Sequence, residues 1–434
     1  MMKFGKFLPI LLTLLNPLLS FADSNVLTMN EAIKKALMGN YIVKAEEKLS
    51  SSKLNLIKSA EYRDYPSIIA DYTFTKLNDD KELSIKMGGS SMKVTQVEKS
   101  YSNLNIGINY VIYSGGVFSA LKKGSIYDYD SSKHSLEEIK KELMLKIQEA
   151  YTDILELQEI RKVVISQINR LNSHNRDIEM MHKEGLAAKI DMMQTSVELK
   201  NAEKKLIEID NNIKVAKYNL STIMGEDPSD NYETIDPQED FYNRNFDEKL
   251  IVEQSIQNRK ILKKMEASLE SFKQTIEIDK SNYKPKFSIY GGYNYNDSND
   301  AITPKSGFLI QAGMNFRLDW GKPFSDIRSK KEEIYSYENR IKDLRLKIKL
   351  LVLKRLADFE TAKKSYDVAI EQVKESEEFF RIMKLKYSNG LISNTDLLNA
   401  ETIMTNSLMG MKKNYYEVAR SIYRLEYEIG LEVN

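Results

Sequence analysis

Every seventh residue from Leu136 onward is apolar: Leu136, Leu143, Ala150, Leu157, Val164, Leu171 and Ile178. Past Gly185 the spacing resumes as Met192, Leu199, Leu206, Ile213 and Leu220. A second stretch carries Val352, Phe359, Tyr366, Val373, Phe380 and Tyr387, then Leu397, Met404, Met411, Val418 and Leu425. A seven-residue period held this long predicts coiled-coil packing with left-handed supercoiling. No Pro interrupts any of the four runs. From Phe118 to His182 the first helix would reach about 100 Å at 1.5 Å per residue. Its stripe is apolar at one heptad position and only intermittently at a second. So thin a seam cannot hold one hairpin together over that length, and neighbouring chains must close its surface. Two shorter helices are expected at Thr28 to Tyr62 and Asp247 to Tyr283. Thr28 and Glu31 fit a capping box with Leu27 as its staple, and Pro66 and Pro285 stop the pair.

Past each of these prolines the period changes from seven to two. Ile68, Ala70, Tyr72 and Phe74 alternate with Ser67, Ile69, Asp71 and Thr73, and Leu104, Ile106, Ile108, Tyr110 and Ile112 with Asn103, Asn105, Gly107 and Asn109. The pattern predicts strands over 67–76 and 102–113. Further on, Phe287, Ile289, Gly291, Tyr293 and Tyr295 alternate with Ser288, Tyr290, Gly292 and Asn294, and Phe308 to Leu318 alternates likewise. Strands are expected over 286–295 and 307–318. Each run is close to the nine to eleven residues of a tilted membrane strand, with one apolar face and one polar or small face. The connections, Leu77 to Tyr101 and Asn296 to Ser306, read as long polar rim loops. A small soluble sheet packed on the helices is the plainer alternative, because alternation alone is a weak signal.

The chain is an internal duplication. Glu184-Gly185-Leu186 with Asp191 returns 205 positions later as Asn389-Gly390-Leu391 with Asp396, and the same offset pairs Leu220 with Leu425 and Gly225 with Gly430. Glu47 and Glu266 correspond at an offset of 219. Each copy is one structural unit. The expected division is residues 23–225 for the first, 226–246 for an equatorial linker and 247–434 for the second.

Composition narrows the class. Charged residues make up 29% of 434, with only 18 Gly and 8 Pro, which suits long helices with a narrow buried stripe. The 64 basic and 63 acidic residues nearly cancel, so no polybasic surface offers itself to nucleic acid. Residues 1–22 read as a signal peptide: Lys3 and Lys6, an apolar run from Phe7 to Leu15 too short to span a bilayer, then Ser20-Phe21-Ala22. The mature chain is expected to begin near Asp23. No Cys is present, which excludes disulfides and a lipid-modified cysteine. No later segment has the apolar length of a membrane helix. An exported chain of this kind is either soluble or part of a β-barrel.

Four strands cannot close a membrane barrel, and open edges in lipid leave backbone groups unsatisfied. Two chains would give eight strands and a filled interior. Three would give twelve and a lumen, and a homotrimer is the expectation.

With Tyr113-Ser114-Gly115-Gly116 closing the first strand pair and the paired Gly-Leu turns each followed by an Asp, the chain resembles the TolC family of outer-membrane efflux and secretion channels. The likeness runs from Leu27 to Gly430. It implies a mainly α protein with membrane β: a coiled-coil α-helical barrel crossing the periplasm and four strands per chain in a shared trimeric β-barrel seated in outer-membrane lipid. It also implies a passive duct for efflux or type I secretion, partnered by a periplasmic adaptor and an inner-membrane pump, with no cofactor. By the same resemblance the adaptor engages Gly185, Leu186, Gly390 and Leu391. Gly in a tight turn is also explained by backbone freedom alone. The family narrows its periplasmic aperture with acidic residues, often two a turn apart. Asp396 matches the first, Asn399 stands in place of the second, and Asp191 is the repeat counterpart. A local cap or solvated face is the competing reading of Asp396. The second copy departs from the family at Asp319-Trp320-Gly321-Lys322-Pro323, where the double glycine is missing.

Chemistry is not in sight. His134, His174 and His182 lie on one predicted helix without a second ligand at metal spacing and read as surface histidines. Gly321-Lys322 lacks the upstream glycine of a phosphate loop. Two non-channel readings remain: an adhesin, which would place its strands consecutively at the C-terminus, and a coiled-coil scaffold of the cell envelope. The cargo is not written in the chain, because a wide duct selects weakly.

Overall fold

The computed structural model describes residues 26–237, 240–317 and 319–431. The expected leader, its cleavage site and Leu318 lie outside them. After the short strand β1 (Val26–Leu27), helices α1 (Met29–Gly39) and α2 (Tyr41–Glu61) lead into strands β2 (Ser67–Lys76), β3 (Lys81–Met87), β4 (Ser90–Val97) and β5 (Ser100–Tyr113). The hairpin of α3 (Val117–Lys183) and α4 (Lys189–Met224) follows, then β6 (Glu233–Thr234). The second unit repeats the plan with α5 (Glu248–Asn258), α6 (Lys260–Ser281), β7 (Lys286–Asn296), β8 (Ser306–Asn315), α7 (Lys322–Ser388) and α8 (Asn394–Ile429). The duplication is exact in length: α3 and α7 have 67 residues each, α4 and α8 have 36 each. Among the described residues no helix is long and apolar enough to cross a membrane.

The heptad stripe is the core. Leu143, Ala150, Val164, Leu171 and Ile178 of α3 are buried, as are Leu199 and Leu220 of α4, Val352, Phe359 and Val373 of α7, and Leu397, Met404, Val418 and Leu425 of α8. The stripe's other described members are half-buried, and none is exposed.

Two expected helices are broken, at matched positions. The run from Thr28 stops at Gly39 because Asn40 leaves helical geometry and caps α2. Its Oδ1 accepts from the amides of Ile42 (2.9 Å) and Val43 (3.3 Å), and its Nδ2 donates to the Ile223 carbonyl (2.9 Å). The second run breaks at Arg259, which is Asn40 shifted by the same 219 positions. Backbone-to-backbone contact explains the site of the break. A Cβ on Gly39 would lie 2.4 Å from the Met224 carbonyl oxygen, and one on Gly225 would lie 2.6 Å from the Gly39 carbonyl carbon. The end of α4 therefore seats directly on the bend between α1 and α2.

The linker packs at mid-height. β6 pairs in parallel with β1, and the buried Tyr151 hydroxyl meets the Leu27 and Ile235 carbonyls (2.8 Å each) while accepting from the Ile235 amide (2.9 Å). Phe241 stacks edge-on against Tyr423, and Phe246 against Phe359.

Candidate channel wall and helical tips

One four-stranded antiparallel sheet, ordered β2-β5-β7-β8, joins the two repeats through β5 and β7. Strands β2 and β5 occupy the expected segments within two residues. β7 runs one residue longer than expected, and β8 ends at Asn315, short of the expected 318. The register sorts the side chains into two faces. Ile68, Ile108, Gly291 and Ile310 form one cross-strand row, and Ala70, Ile106, Tyr293 and Phe308 the next. On this face Ile68, Ile310 and Phe308 are 80%, 85% and 88% exposed. A contiguous exposed apolar face of this kind marks a membrane or protein contact surface. The opposite face is amide-rich: Asp71, Asn105 and Asn294 in one row, Asn109, Tyr290 and Gln311 in another. There the Tyr290 hydroxyl donates to Asn105 Oδ1 (2.5 Å), and its ring lies over Gly107 and Gly292, where a Cβ would collide with it at 2.4 Å. Among the described residues neither β2 nor β8 has a partner on its outer edge.

The segment expected as one loop, Leu77 to Tyr101, holds a further hairpin. Leu83, Ile85 and Met87 of β3 face Val94 and Met92 of β4 across a turn at Gly88 and Gly89, both at positive φ. Its base is tied to the other rim loop: the Glu98 amide donates to the Ser298 carbonyl (2.7 Å), and Asn299 Nδ2 to that of Gln96 (3.0 Å).

At the other end of the molecule lie the two hairpin tips. Gly185 (φ +73°) and Gly390 (φ +71°) close α3 and α7 in the left-handed region. The amides of Leu186 and Leu391 reach back five residues to the Met181 (2.8 Å) and Lys386 (2.9 Å) carbonyls, which satisfies the last turn of each helix. Leu186 and Leu391 are then 72% and 71% exposed, two apolar side chains held out at equivalent points. Asp396 caps α8: Ser393 donates to its Oδ2 from the amide (3.1 Å) and the hydroxyl (2.6 Å), and these bonds hold its carboxyl below the usual range. Asp191 accepts from the Ala188 amide (3.2 Å) and its own amide donates to the Ala188 carbonyl (3.1 Å), but Ala188 has no side-chain oxygen to complete a capping box. Asp396, Asn399, Ile403 and Asn406 lie along an exposed flank of α8. Asp396 is thus a cap and an exposed anion at once.

The opposite flank of α8 carries polar residues that the sequence did not single out. Glu401 is buried, and its Oε1 takes Arg170 Nε from α3 at 2.8 Å, with Arg170 Nη2 on Thr405 Oγ1 (3.3 Å). Burial pushes the Glu401 carboxyl up, against the pull of Arg170. One turn away His174 Nε2 meets Asn394 Oδ1 (2.8 Å), and Asn394 Nδ2 donates to the Asp191 carbonyl (3.1 Å) and Thr195 Oγ1 (3.2 Å). His174 is therefore an interior residue, half-buried and edge-on to the Tyr387 ring, and the surface reading of it is corrected. His134 is half-buried as well, beside Glu137, whereas His182 is exposed. The signal missed was a polar residue directly adjoining the heptad stripe.

Residues 251–424 match the family model described as outer membrane efflux protein. A comparison with curated protein sequences returns no match. The fold is that of solved outer-membrane proteins. VceC from Vibrio cholerae is similar at a TM-score of 0.75 and 14% identity, over 93% of this chain and 96% of that one. The CmeC outer membrane channel of Campylobacter jejuni is similar at 0.74 and 14%, over 93% and 85%. The MtrE outer membrane channel of Neisseria gonorrhoeae, solved in its open state, is similar at 0.72 and 14%, over 93% and 88%.

Proposed function

We propose that this chain is an outer-membrane channel of the outer membrane efflux protein family, of the TolC type, and works as one third of a trimeric duct. It conducts substrates passively from a periplasmic adaptor and an inner-membrane pump to the exterior, with its helical body in the periplasm. The observation that carries this reading is the sheet: a lipid-like face, an amide-lined face and two unpaired edges. An edge in hydrocarbon must be paired. Joining β8 of one chain to β2 of the next satisfies both edges, and threefold repetition gives a twelve-stranded barrel with the amide face inward. The adhesin reading is disfavoured by the sheet order, which interleaves strands from both halves of the chain. A soluble scaffold is disfavoured by the exposed aliphatic face. Mass measurement of the detergent-extracted protein should return a trimer of chains beginning near Asp23; a stable monomer that needs no detergent would overturn the assembly.

The periplasmic aperture is assigned to the open flank of α8. Threefold symmetry would gather three Asp396 carboxylates round one axis, and like charges held in a constriction attract cations. With Asn399 in place of a second carboxylate, Asp396 forms a single ring, and Asp191, its repeat counterpart, is the weaker candidate for the aperture. Asp396→Asn is the sharper test variant, because an amide oxygen can still accept from the Ser393 amide. Planar-bilayer conductance should be blocked by a trivalent cation on the periplasmic side of the wild type and much less in Asp396→Asn. Equal block of the two would leave Asp396 as a cap only.

A further inference from the structure

We infer that the tip carries a binding site for a small amphipathic monocation, in the half-open pocket between α3 and the α7/α8 hairpin. The pocket has a volume of about 680 Å³, within the range of small-molecule sites. Its walls combine apolar surface from Leu171, Phe380 and Leu397 with three carboxylates, Asp177, Glu184 and Glu401, against two fixed cations, Arg170 and Lys384. The lining thus carries one uncompensated negative charge when His174 is neutral.

Glu401 points to the ligand. It is only 4% exposed, and among the described residues its Oε2 has no hydrogen-bond partner. A carboxylate and a guanidinium normally pair through both oxygens. Here Arg170 meets only Oε1, and its Nη2 is diverted to Thr405. A buried acceptor left unmade forfeits the hydration it gave up on folding. A donor-bearing cation on the pocket side would satisfy that oxygen and offset the net charge, while an aromatic or aliphatic body covers Phe380 and Leu397. An amidinium or ammonium on a ring or short chain has this chemistry. A metal ion does not, because half of the wall is hydrocarbon. The site spans both hairpins, so an occupant bridges α3 to α8. The residues that form the site all belong to one chain.

Isothermal titration of the full mature protein in detergent tests it, with naphthamidine as the probe and neutral naphthamide as its isostere. Saturable binding of one naphthamidine per chain is expected, with naphthamide at least about tenfold weaker, a gap of about 1.4 kcal/mol. Glu401→Gln should bring naphthamidine down to the level of naphthamide without weakening naphthamide itself. Ser173→Trp fills the pocket from an exposed position, leaves the Arg170 pair intact, and should abolish both. Methylammonium, which lacks the apolar body, should fail to compete. The inference is overturned if the two naphthyl probes bind alike, or if Ser173→Trp leaves naphthamidine binding unchanged. Should Glu401→Gln fail to assemble, Asp177→Asn on the exposed rim replaces it, with a two- to threefold loss expected and no loss counting against the site.

Discussion

Replacing Arg420 with Ala is expected to destabilise the protein by about 3 kcal/mol, the low end of the cost of breaking a buried ion pair from one side. Arg420 sits in α8 almost fully buried, and one guanidinium serves three carboxylates: Asp153 (3.0 Å) and Glu156 (2.6 Å) of α3, and Glu417 (2.8 Å) of its own helix. Glu156 is nearly buried, whereas Asp153 and Glu417 are screened by solvent, so most of the loss belongs to Glu156. Lys in its place can reach one partner and should recover only part of the loss. The measurement is the thermal unfolding midpoint at matched protein and detergent concentration, because an oligomer's midpoint depends on both.

The effect should also depend on pH in a definite sense. Although its side chain is half open to solvent, partial desolvation beside α8 holds the Asp153 carboxyl above its usual range, with Arg420 pulling the other way. A raised carboxyl binds more protons folded than unfolded, so its contribution falls as pH rises from the ordinary carboxylate range upward. Removing Arg420 raises it further and steepens that fall. The gap between wild type and Arg420→Ala should therefore widen from mildly acid to neutral pH. A constant gap would mean that lost packing, and not the unpaired carboxylates, sets the cost.

Much of this architecture was legible because the patterns are long. A heptad kept for about eight to twelve turns leaves few alternatives to a coiled coil, and the duplication gave a second reading of the helices and of the four sheet strands. What stayed illegible was short or depended on direction. The breaks at Asn40 and Arg259 are single residues inside good helical sequence; only the contact of Gly39 with the end of α4 reveals why the chain must turn there. The β3-β4 hairpin was hidden because Leu83, Ile85, Met92 and Val94 are embedded among charged and hydroxyl residues, and Gly88-Gly89 reads equally as loop or turn. Arg170, Glu401 and Asn394 could not be chosen from a chain with charges at every turn. Periodicity tells which residues lie on the stripe, not which polar neighbours are pulled in beside it. Asp396 was visible as a candidate, and its capping partner Ser393 stood three residues upstream in the pattern that makes a capping box.

Replacing Gly390 with Val should abolish most efflux while leaving the protein assembled in the membrane. Gly390 is at φ +71°, where a β-branched residue is a steric outlier costing about 1 to 2 kcal/mol. Beyond its two chain neighbours no atom of the described residues lies within 4 Å of a Cβ there, so the strain is not relieved by moving a packed side chain; it must be met by re-forming the turn. That turn holds out Leu391 and sets the start of α8, from which Asp396 and Asn394 take their positions. The strands lie at the far end of α7, about 100 Å away at 1.5 Å per residue, and should not register the change. Susceptibility to exported compounds should rise toward that of a deletion strain, with loss of adaptor cross-linking and an unchanged trimer on extraction. Gly390→Asn separates the two reasons a glycine can be needed. Asn tolerates the left-handed region, so it should restore efflux if the turn's conformation is what matters. If Asn fails as Val does while the tip geometry is kept, the adaptor requires the bare backbone of Gly390 itself. If Val leaves efflux and cross-linking intact, docking lies elsewhere than at the Gly185 and Gly390 turns.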